Sequence, residues 1–354
     1  MGGASPRLST SIGAATSVGI ARSGPVIIIL GCVSTVAFLG PAGTFTDAAL
    51  QQLVDRGRIA AGDGGEPDTA PQMLPCDTPP QALAAVREGR ADFACVPFEN
   101  SVDGTVSPTA DALASGTRLQ ILAETELDIA FAILVRPGTA PSDVRSLSTH
   151  PIAAAQVRSW VQENLPNAQI HTTSSTAAGA EEVAAGEADA AAAPARAGEI
   201  LGLDALASGI ADVSGARTRF VLVGNPTTPP APTGNDRTSV VFGLRHEPNS
   251  LVQALTELSI RGINLSRIES RPTRVDRFTY FFHIDLVGHI DDPMVAEALA
   301  ALHHRTSRLR FLGSWPVDEH GNAEAPPADR ASASGPPDRT EGYAWTRAMA
   351  TGRG

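Results

Sequence analysis

Apolar residues in this chain fall into short continuous runs bounded by glycine and proline, interleaved with stretches of helical period. The run Val36-Ala37-Phe38-Leu39 ends at Gly40 and reads as a buried strand, and Ala48 to Val54 carries the period of a helix. Residues 55 to 76 are rich in Gly, Pro and Asp and read as a loop. A strand over Ile129 to Val135, a helix opened by Thr149-His150-Pro151 and a strand Val221-Leu222-Val223 closed by Gly224 follow. Residues 225 to 236, with Pro226, Pro229, Pro230 and Pro232, read as a stiff linker, so the parts on either side read as separable. Beyond it come strand Thr238 to Leu244, helix Leu251 to Arg261, strand Asn264 to Ser270, strand Phe278 to Leu286, helix Pro293 to His304 and strand Arg310 to Trp315. That order is βαββαβ, a ferredoxin-like module over 237–316.

The first part contains an internal echo. Val86-x-x-Gly89-x-Ala91-Asp92-x-Ala94-x-x-Pro97 recurs as Val183-x-x-Gly186-x-Ala188-Asp189-x-Ala191-x-x-Pro194. Capped helix starts precede both copies, Asp77-Thr78-Pro79-Pro80 and Ser174-Ser175-Thr176. Helix, glycine stop and strand make a common unit, so convergence remains open. The reading adopted is two similarly built α/β lobes around a cleft, the default place for a ligand. Lobe 1 is assigned to about 36–123 and 206–224, lobe 2 to about 124–205.

Composition narrows the chemistry. All 27 basic residues are Arg, which excludes Schiff-base, pyridoxal phosphate and Walker-A sites, since each needs a lysine amine. A net charge of -11 argues against nucleic acid or anionic membrane as main partner. Cys32, Cys76 and Cys95 are scattered and the eight His form no H-E-x-x-H, so neither a metal site nor another cofactor is expected, and the thiols read as reduced and cytoplasmic. Residues 1–35 and 317–354 lack core patterning and read as disordered extensions. Val26 to Leu30 is too short to span a bilayer. Ile29-Leu30-Gly31-Cys32 also has the form of a lipoprotein cleavage box, but the strand that follows almost at once speaks against it.

Candidate chemistry gathers at strand mouths. Thr218-Arg219-Phe220 sets a hydroxyl, a guanidinium and a ring before the apolar run 221–223. Gly40-Pro41-Ala42-Gly43-Thr44-Phe45 leads from strand to helix, either as a plain tight turn or as an anion-facing mouth. After Pro97, Phe98-Glu99-Asn100-Ser101-Val102-Asp103-Gly104 is either an Asx-type turn or a reactive loop. Ser107-Pro108 opens the next helix with Ser as cap. His150 is either an acid-base or, more readily, a helix cap.

Gly40-Pro41-x-Gly43-Thr44-Phe45, Pro97-x-Glu99-Asn100-Ser101-x-x-Gly104, Ser175-Thr176-Ala177, Thr218-Arg219-Phe220 and Glu269-Ser270-Arg271-Pro272, in this order, resemble prephenate dehydratase with a C-terminal ACT regulatory domain. The resemblance covers about Val36 to Pro316 and implies a catalytic domain of two lobes like a type II periplasmic binding protein, converting prephenate to phenylpyruvate, water and carbon dioxide. It implies Thr218, Arg219 and Glu99 as catalytic residues: Arg219 as the fork for a substrate carboxylate, Thr218 as hydrogen-bond donor to the leaving hydroxyl, with Glu99 or water as relay. Gly43, Thr44, Phe45, Asn100, Ser101, Gly104, Ser175, Thr176 and Phe220 become the substrate-binding set. Phenylalanine is the implied effector, held by Pro248, Asn249, Ser250 and Leu251 and by Asn264, Leu265, Glu269, Ser270, Arg271 and Pro272 in a homodimer or homotetramer. Two departures stand out: Pro248-Asn249-Ser250-Leu251 replaces the family's Pro-Gly-Ala-Leu, and Ala193-Pro194-Ala195-Arg196 replaces its Ala-Ser-Glu. An arogenate dehydratase and a non-catalytic two-lobed amino-acid sensor remain the alternatives.

Overall fold

The computed structural model describes residues 34–59, 70–212, 215–273 and 279–318. Cys32, with its lipoprotein-like box, and most of the two expected extensions, 1–35 and 317–354, lie outside the described residues; Thr35, expected in the first extension, opens a strand. The described residues from Ser34 to Pro316 belong to one compact unit; of a second unit only Val317 and Asp318 are described.

Lobe 1 begins with β1 (Thr35–Leu39), α1 (Phe45–Asp55), β2 (Gln72–Cys76), α2 (Pro79–Arg87) and β3 (Phe93–Asn100). It continues through the short β4 (Gly104–Thr105), α3 (Ser107–Ala114) and β5 (Gln120–Asp128). Lobe 2 runs β6 (Ala132–Val135), β7 (Ser146–Thr149), α4 (Pro151–Gln156), α5 (Arg158–Asn164), β8 (Gln169–Thr172), α6 (Thr176–Ala185), β9 (Ala190–Ala193), α7 (Ala195–Leu201) and β10 (Asp204–Ser208). The chain returns to lobe 1 as β11 (Arg217–Gly224). The sheets are ordered β2-β1-β3-β11-β5, with β4 on β3, and β10-β6-β9-β7-β8. Each lobe thus sets three parallel strands in the order second, first, third, and then an antiparallel strand, β11 or β6. This is the expected two-lobed α/β class of type II periplasmic binding proteins.

The echo acquires a physical meaning here. Its two copies are α2–β3 and α6–β9, the third parallel strand of each lobe with the helix before it. Gly89 and Gly186 both take left-handed φ values, 70° and 81°, after the helix. Asp92 Oδ2 accepts from Thr35 N (2.8 Å), and Asp189 Oδ2 accepts from Arg145 N and Ser146 N (2.9 and 3.0 Å). In each lobe the echoed aspartate fastens the entry of the neighbouring parallel strand.

Several boundaries move. Residues 72–76 form β2 rather than loop; Pro75 is tolerated because β2 is an edge strand, where a missing N–H breaks no ladder. β5 stays in lobe 1 as far as Asp128, and β10 pairs with β6 in lobe 2, so the crossings fall later than the expected 123/124 and 205/206. α1 starts at Phe45, because Thr44 caps it by accepting from Asp47 N.

The C-terminal module follows the expected order: β12 (Asp236–Gly243), α8 (Ser250–Ser259), β13 (Leu265–Pro272), β14 (Tyr280–Val287), α9 (Pro293–Arg305) and β15 (Arg308–Pro316), with sheet order β13-β14-β12-β15. One face, through Val240, Phe242, Ile284 and Leu286, packs on α8 and α9. Much of the opposite face is covered as well. Val241, Leu312 and Trp315 join Phe98, Ile121, Val221 and Val223 of lobe 1 in a single apolar cluster, so the module is not the separable appendage that the proline-rich stretch suggests. At Gly313 the approach is so close that a Cβ would lie 2.2 Å from Ile121 O.

Two outcomes follow from this packing. Gly313→Ala is expected to cost roughly 1–3 kcal/mol and lower the melting temperature, because β15 must move off β5; an unchanged melt would contradict the contact. His283, on the buried face of β14, has neither ring nitrogen paired among the described residues. Burial, then the nearby Arg267 and Arg271 cations, push its pKa down from 6.5 to about 4, against Glu269 and Asp285. The unfolded chain takes up this proton below pH 6.5 and the folded chain only near 4. Stability is therefore full above 6.5 and falls by about 3 kcal/mol toward pH 4. Denaturant titrations at pH 7 and 4.5 should show a smaller loss in His283→Gln than in the parent, and equal losses would contradict this.

Candidate active site

The mouth of the central β3–β11 pair collects the polar residues. The two strands run antiparallel with Thr218 opposite Asn100 and Arg219 opposite Glu99, and a bulge between Arg219 and Phe220. Alternation sends Phe220 into the core beneath α1, beside Phe38, Leu50 and Leu222, and Val221 into the cluster shared with the module.

Asn100 is oriented without ambiguity. Its Oδ1 accepts from Val102 N (2.8 Å) and Asp103 N (3.0 Å), so its amide nitrogen points the other way and donates to Thr218 Oγ1 at 2.8 Å. Since the Thr218 oxygen is an acceptor in that bond, its own proton remains available to a second partner. Ser101 ties the same corner: its N donates to Arg217 O (2.8 Å), and its Oγ accepts from Arg217 N (2.9 Å). Gly104, at φ 77°, closes the turn that returns β4 onto β3.

Across the mouth, the Thr44 hydroxyl is used internally as the cap of α1, and Asp47 Oδ2 accepts from Gly43 N (3.0 Å). Asp47 also accepts from Arg196 Nε of α7 at 2.7 Å, and a Cβ at Gly43 would lie 3.1 Å from Ala197 Cα. Phe45 packs edge-on against Phe131, centroids 5.4 Å apart. The Gly43-Thr44-Phe45 segment of lobe 1 therefore rests directly on lobe 2. Gln156 Nε2 reaches Asp103 Oδ2 at 3.4 Å as a second link across the cleft. Ser175 caps α6, accepting from Ala178 N (3.0 Å), and Thr176 is the first residue of that helix. His150 caps α4 through Nδ1, and burial lowers its pKa, which fits the cap rather than the acid-base reading. Ser107 is not the cap of α3; it is the first residue of the helix, and its Oγ accepts from Arg271 Nη1 at 2.7 Å.

The expected role of Arg219, a fork for a substrate carboxylate, is not the one this geometry gives it. Its side chain is 5% exposed and faces the C-terminal module. Nη2 donates to Glu99 Oε2 (2.6 Å) and Asp285 Oδ2 (2.8 Å), and Nη1 donates to Glu124 Oε2 (3.3 Å). Glu124 also takes Arg237 Nη1 (2.5 Å) and Trp315 Nε1 (2.9 Å). Although burial works against the charge, Asp285, Glu124 and Glu99 hold the guanidinium pKa well above its ordinary value. Asp285 in turn is kept well below the carboxylate range by Arg267, Arg219 and Arg237, despite full burial. Arg219 and Arg267 lie over the Phe98 ring, 5.0 and 4.5 Å from its centroid.

Two of the expected effector residues join the same interface from β13. Arg271 binds Asp111 at both oxygens (2.5 and 3.0 Å) and Glu269 Oε1 (3.0 Å), and Glu269 Oε2 lies 3.4 Å from Arg267. Ser270 and Pro272 are exposed. Asn264 Oδ1 accepts from Leu265 N (3.0 Å), and Leu265 packs against the module core. Asn249 adopts φ 71°, the left-handed turn a glycine would take, just ahead of α8, whose first two residues are Ser250 and Leu251. Pro248 and Ser250 line a polar cavity of about 550 Å³ with Arg245, Glu247, His304 and Arg305; the 269–272 segment of the same chain does not line it. Among the described residues no cluster of His, Cys, Asp and Glu is arranged to hold a metal ion, and no helix is long and apolar enough to cross a membrane.

Asp285, Glu124, Arg267 and the Asp47–Arg196 pair escaped the sequence reading. Asp285 and His283 alternate with Phe282, Ile284 and Leu286, a pattern indistinguishable from a strand with one wet face. Four charged residues on one strand pair of a small module were the available signal.

Comparison with known proteins places this geometry in a family. The prephenate dehydratase family profile matches residues 36–228. The prephenate dehydratase of Mycolicibacterium gilvum (strain PYR-GCK) is 56% identical over 298 residues, 84% of this chain and 96% of the relative. Among solved structures, prephenate dehydratase from Arthrobacter aurescens in complex with L-Phe superposes with a TM-score of 0.71 at 41% identity, covering 90% of this chain and 99% of that one. GqqA, described as a novel type of quorum quenching acylase, superposes with a TM-score of 0.70 at 31% identity, over 81% of this chain and 99% of its own. The β3–β11 corner with its Asn100–Thr218 pair thus sits within a stretch matched as a whole, and the chain belongs to the prephenate dehydratase family.

Proposed function

We propose that the chain converts prephenate to phenylpyruvate, water and carbon dioxide, with Thr218 as hydrogen-bond donor to the departing hydroxyl. The observation that carries this reading is the Asn100–Thr218 bond, in which the Thr218 oxygen is the acceptor, so its own proton is left for a second partner. In the reaction the bond to the departing carboxylate breaks and its electron pair enters the ring. The ring C–OH bond breaks, and that oxygen leaves with its pair and takes up a proton as water. Aromatisation drives the change. What the site must supply is placement and charge stabilisation at the leaving oxygen. With Arg219 engaged by protein carboxylates, the substrate anions fall to the backbone N–H groups at the starts of α1 and α6 and to Arg196 beside them. An acyl-transfer chemistry such as the GqqA description suggests is disfavoured: the neighbour of the Thr218 hydroxyl is an amide donor, which makes the oxygen a weaker nucleophile.

Phenylalanine is the proposed effector and the C-terminal module an ACT domain. Among the described residues β13 ends the sheet with an unpaired edge, and Ile268 is 48% exposed beside it, which suits pairing with a second copy about a two-fold axis. The effector would then lie between the Pro248–Leu251 loop of one copy and the Asn264–Pro272 strand of the other. The cytoplasm is the proposed compartment, in keeping with the free thiols of Cys76 and Cys95.

Incubated with prephenate, the purified chain should form phenylpyruvate; arogenate run in parallel decides the amino-acid alternative, and consumption of neither contradicts an enzymatic reading. Thr218→Val is expected to reduce kcat by roughly 100-fold or more with KM changed little, and near-normal turnover would remove the hydroxyl from the mechanism. Phenylalanine should inhibit, and Asn249→Val, which strains the left-handed turn, should raise the half-inhibitory concentration while Asn249→Gly does not. An unchanged value for Asn249→Val would place the effector elsewhere.

A further inference from the structure

The charged layer between the C-terminal sheet and lobe 1 does more than join them. Asp285 Oδ2 receives Arg219 Nη2 at 2.8 Å and Arg267 Nε at 3.1 Å, with its side chain wholly buried. Both arginines also hold the loop that carries Asn100. Arg219 Nη2 holds Glu99, the residue before Asn100, and Arg267 Nη1 reaches Thr105 Oγ1 at 3.1 Å. Thr105 pairs with Glu99 across β3 and β4, and Gly104 pairs with Asn100. Arg219 itself is the residue after Thr218. One carboxylate of the module thus braces both sides of the Asn100–Thr218 bond, from β11 through Arg219 and from β4 through Arg267.

We propose that Asp285 is a positioning residue of the dehydration site, fixing Glu99 and β4 through Arg219 and Arg267 and so holding the Asn100 amide against the Thr218 hydroxyl. This rests on the assignment of Thr218 as donor to the leaving hydroxyl. The physical warrant is the cost of an unbraced buried cation. If Asp285 loses its charge, Arg219 can still meet Glu99 and Glu124, but its fork is no longer pinned from the module side, and Arg267 is left buried with Glu269 as its remaining carboxylate. Both guanidinium groups then settle elsewhere over Phe98, and Glu99 moves with them. A displacement on the order of 1 Å at an oriented donor lowers turnover by up to about 100-fold while leaving substrate affinity nearly intact.

The test uses the full chain, first confirming that the parent turns over prephenate. That result concerns the proposed reaction alone; the variants concern the brace. In Asp285→Asn, verified as folded by near-ultraviolet circular dichroism, kcat should fall roughly 10- to 100-fold with KM within about threefold of the parent. In a double-mutant cycle with Glu99→Gln, the second substitution should add little to the first, because both break one linkage. A merely structural carboxylate would instead give additive losses, and would lower the melting temperature without lowering kcat of the folded protein. Should Asp285→Asn fail to fold, Arg267→Lys carries the same test, since Arg267 meets Asp285 through Nε and Thr105 through Nη1, and an ammonium keeps the charge but has no second nitrogen to span the two. The brace predicts a kcat loss at constant KM. A raised KM with unchanged kcat, or a kcat of Asp285→Asn within about twofold of the parent, overturns it.

Discussion

The buried guanidinium of Arg219 is the constraint on which the rest of this structure depends. A fully desolvated cation is intolerable unless opposite charges meet it, and here three carboxylates do so from three elements: Glu99 on β3, Glu124 on β5 and Asp285 on β14. Two of these belong to lobe 1 and one to the C-terminal module, so satisfying a single side chain fixes how the two parts meet. The surrounding features follow the same logic. Trp315 and Arg237 complete Glu124, Arg267 completes Asp285, and the Phe98 ring floors both arginines. Replacing such a network by apolar residues can leave stability unchanged, but removing one partner leaves a stranded charge, and that asymmetry couples module to lobe.

This arrangement links the regulatory and reactive ends of the proposed enzyme. The strand with Glu269 and Arg271 contacts α3 and its neighbours through Arg271 to Asp111 and Ser107, while the next strand supplies Asp285 to the arginine beside Thr218. An effector that shifts β13 by differential binding therefore acts on groups already in contact with the β3–β4 corner, and no long relay is needed. The cleft has its own fastening at the opposite side, where Arg196 of α7 meets Asp47 of α1. A residue of lobe 2 where the family pattern departs thus joins the two lobes.

The sequence discloses much of this, and its failures are instructive. The βαββαβ order and the two lobes were legible because strand and helix periods differ and Gly and Pro punctuate them. The Asp92/Asp189 echo was legible because equivalent third strands need the same anchor. Thr218, Asn100 and Ser101 come together as the motifs suggest, since β11 and β3 are neighbours in register. What stayed hidden was the partner of Arg219. Alternation along Phe281 to Leu286 tells that one face is polar, but not that this face is buried against another lobe; only tertiary packing decides whether Asp285 meets water or a guanidinium. The proline-rich stretch misled for a related reason, since a stiff connection says nothing about whether the faces it joins are complementary.

The most direct measurement of this account is a crystal structure of the full chain with an unreactive prephenate analogue that retains the ring hydroxyl. The account predicts that this hydroxyl lies within hydrogen-bond distance of Thr218 Oγ1, with Asn100 still donating to the same oxygen and Arg219 still bound to Asp285 and Glu99 without touching the ligand. An Arg219 that releases Asp285 and forks onto a ligand carboxylate, or a ligand hydroxyl placed away from Thr218, would contradict it.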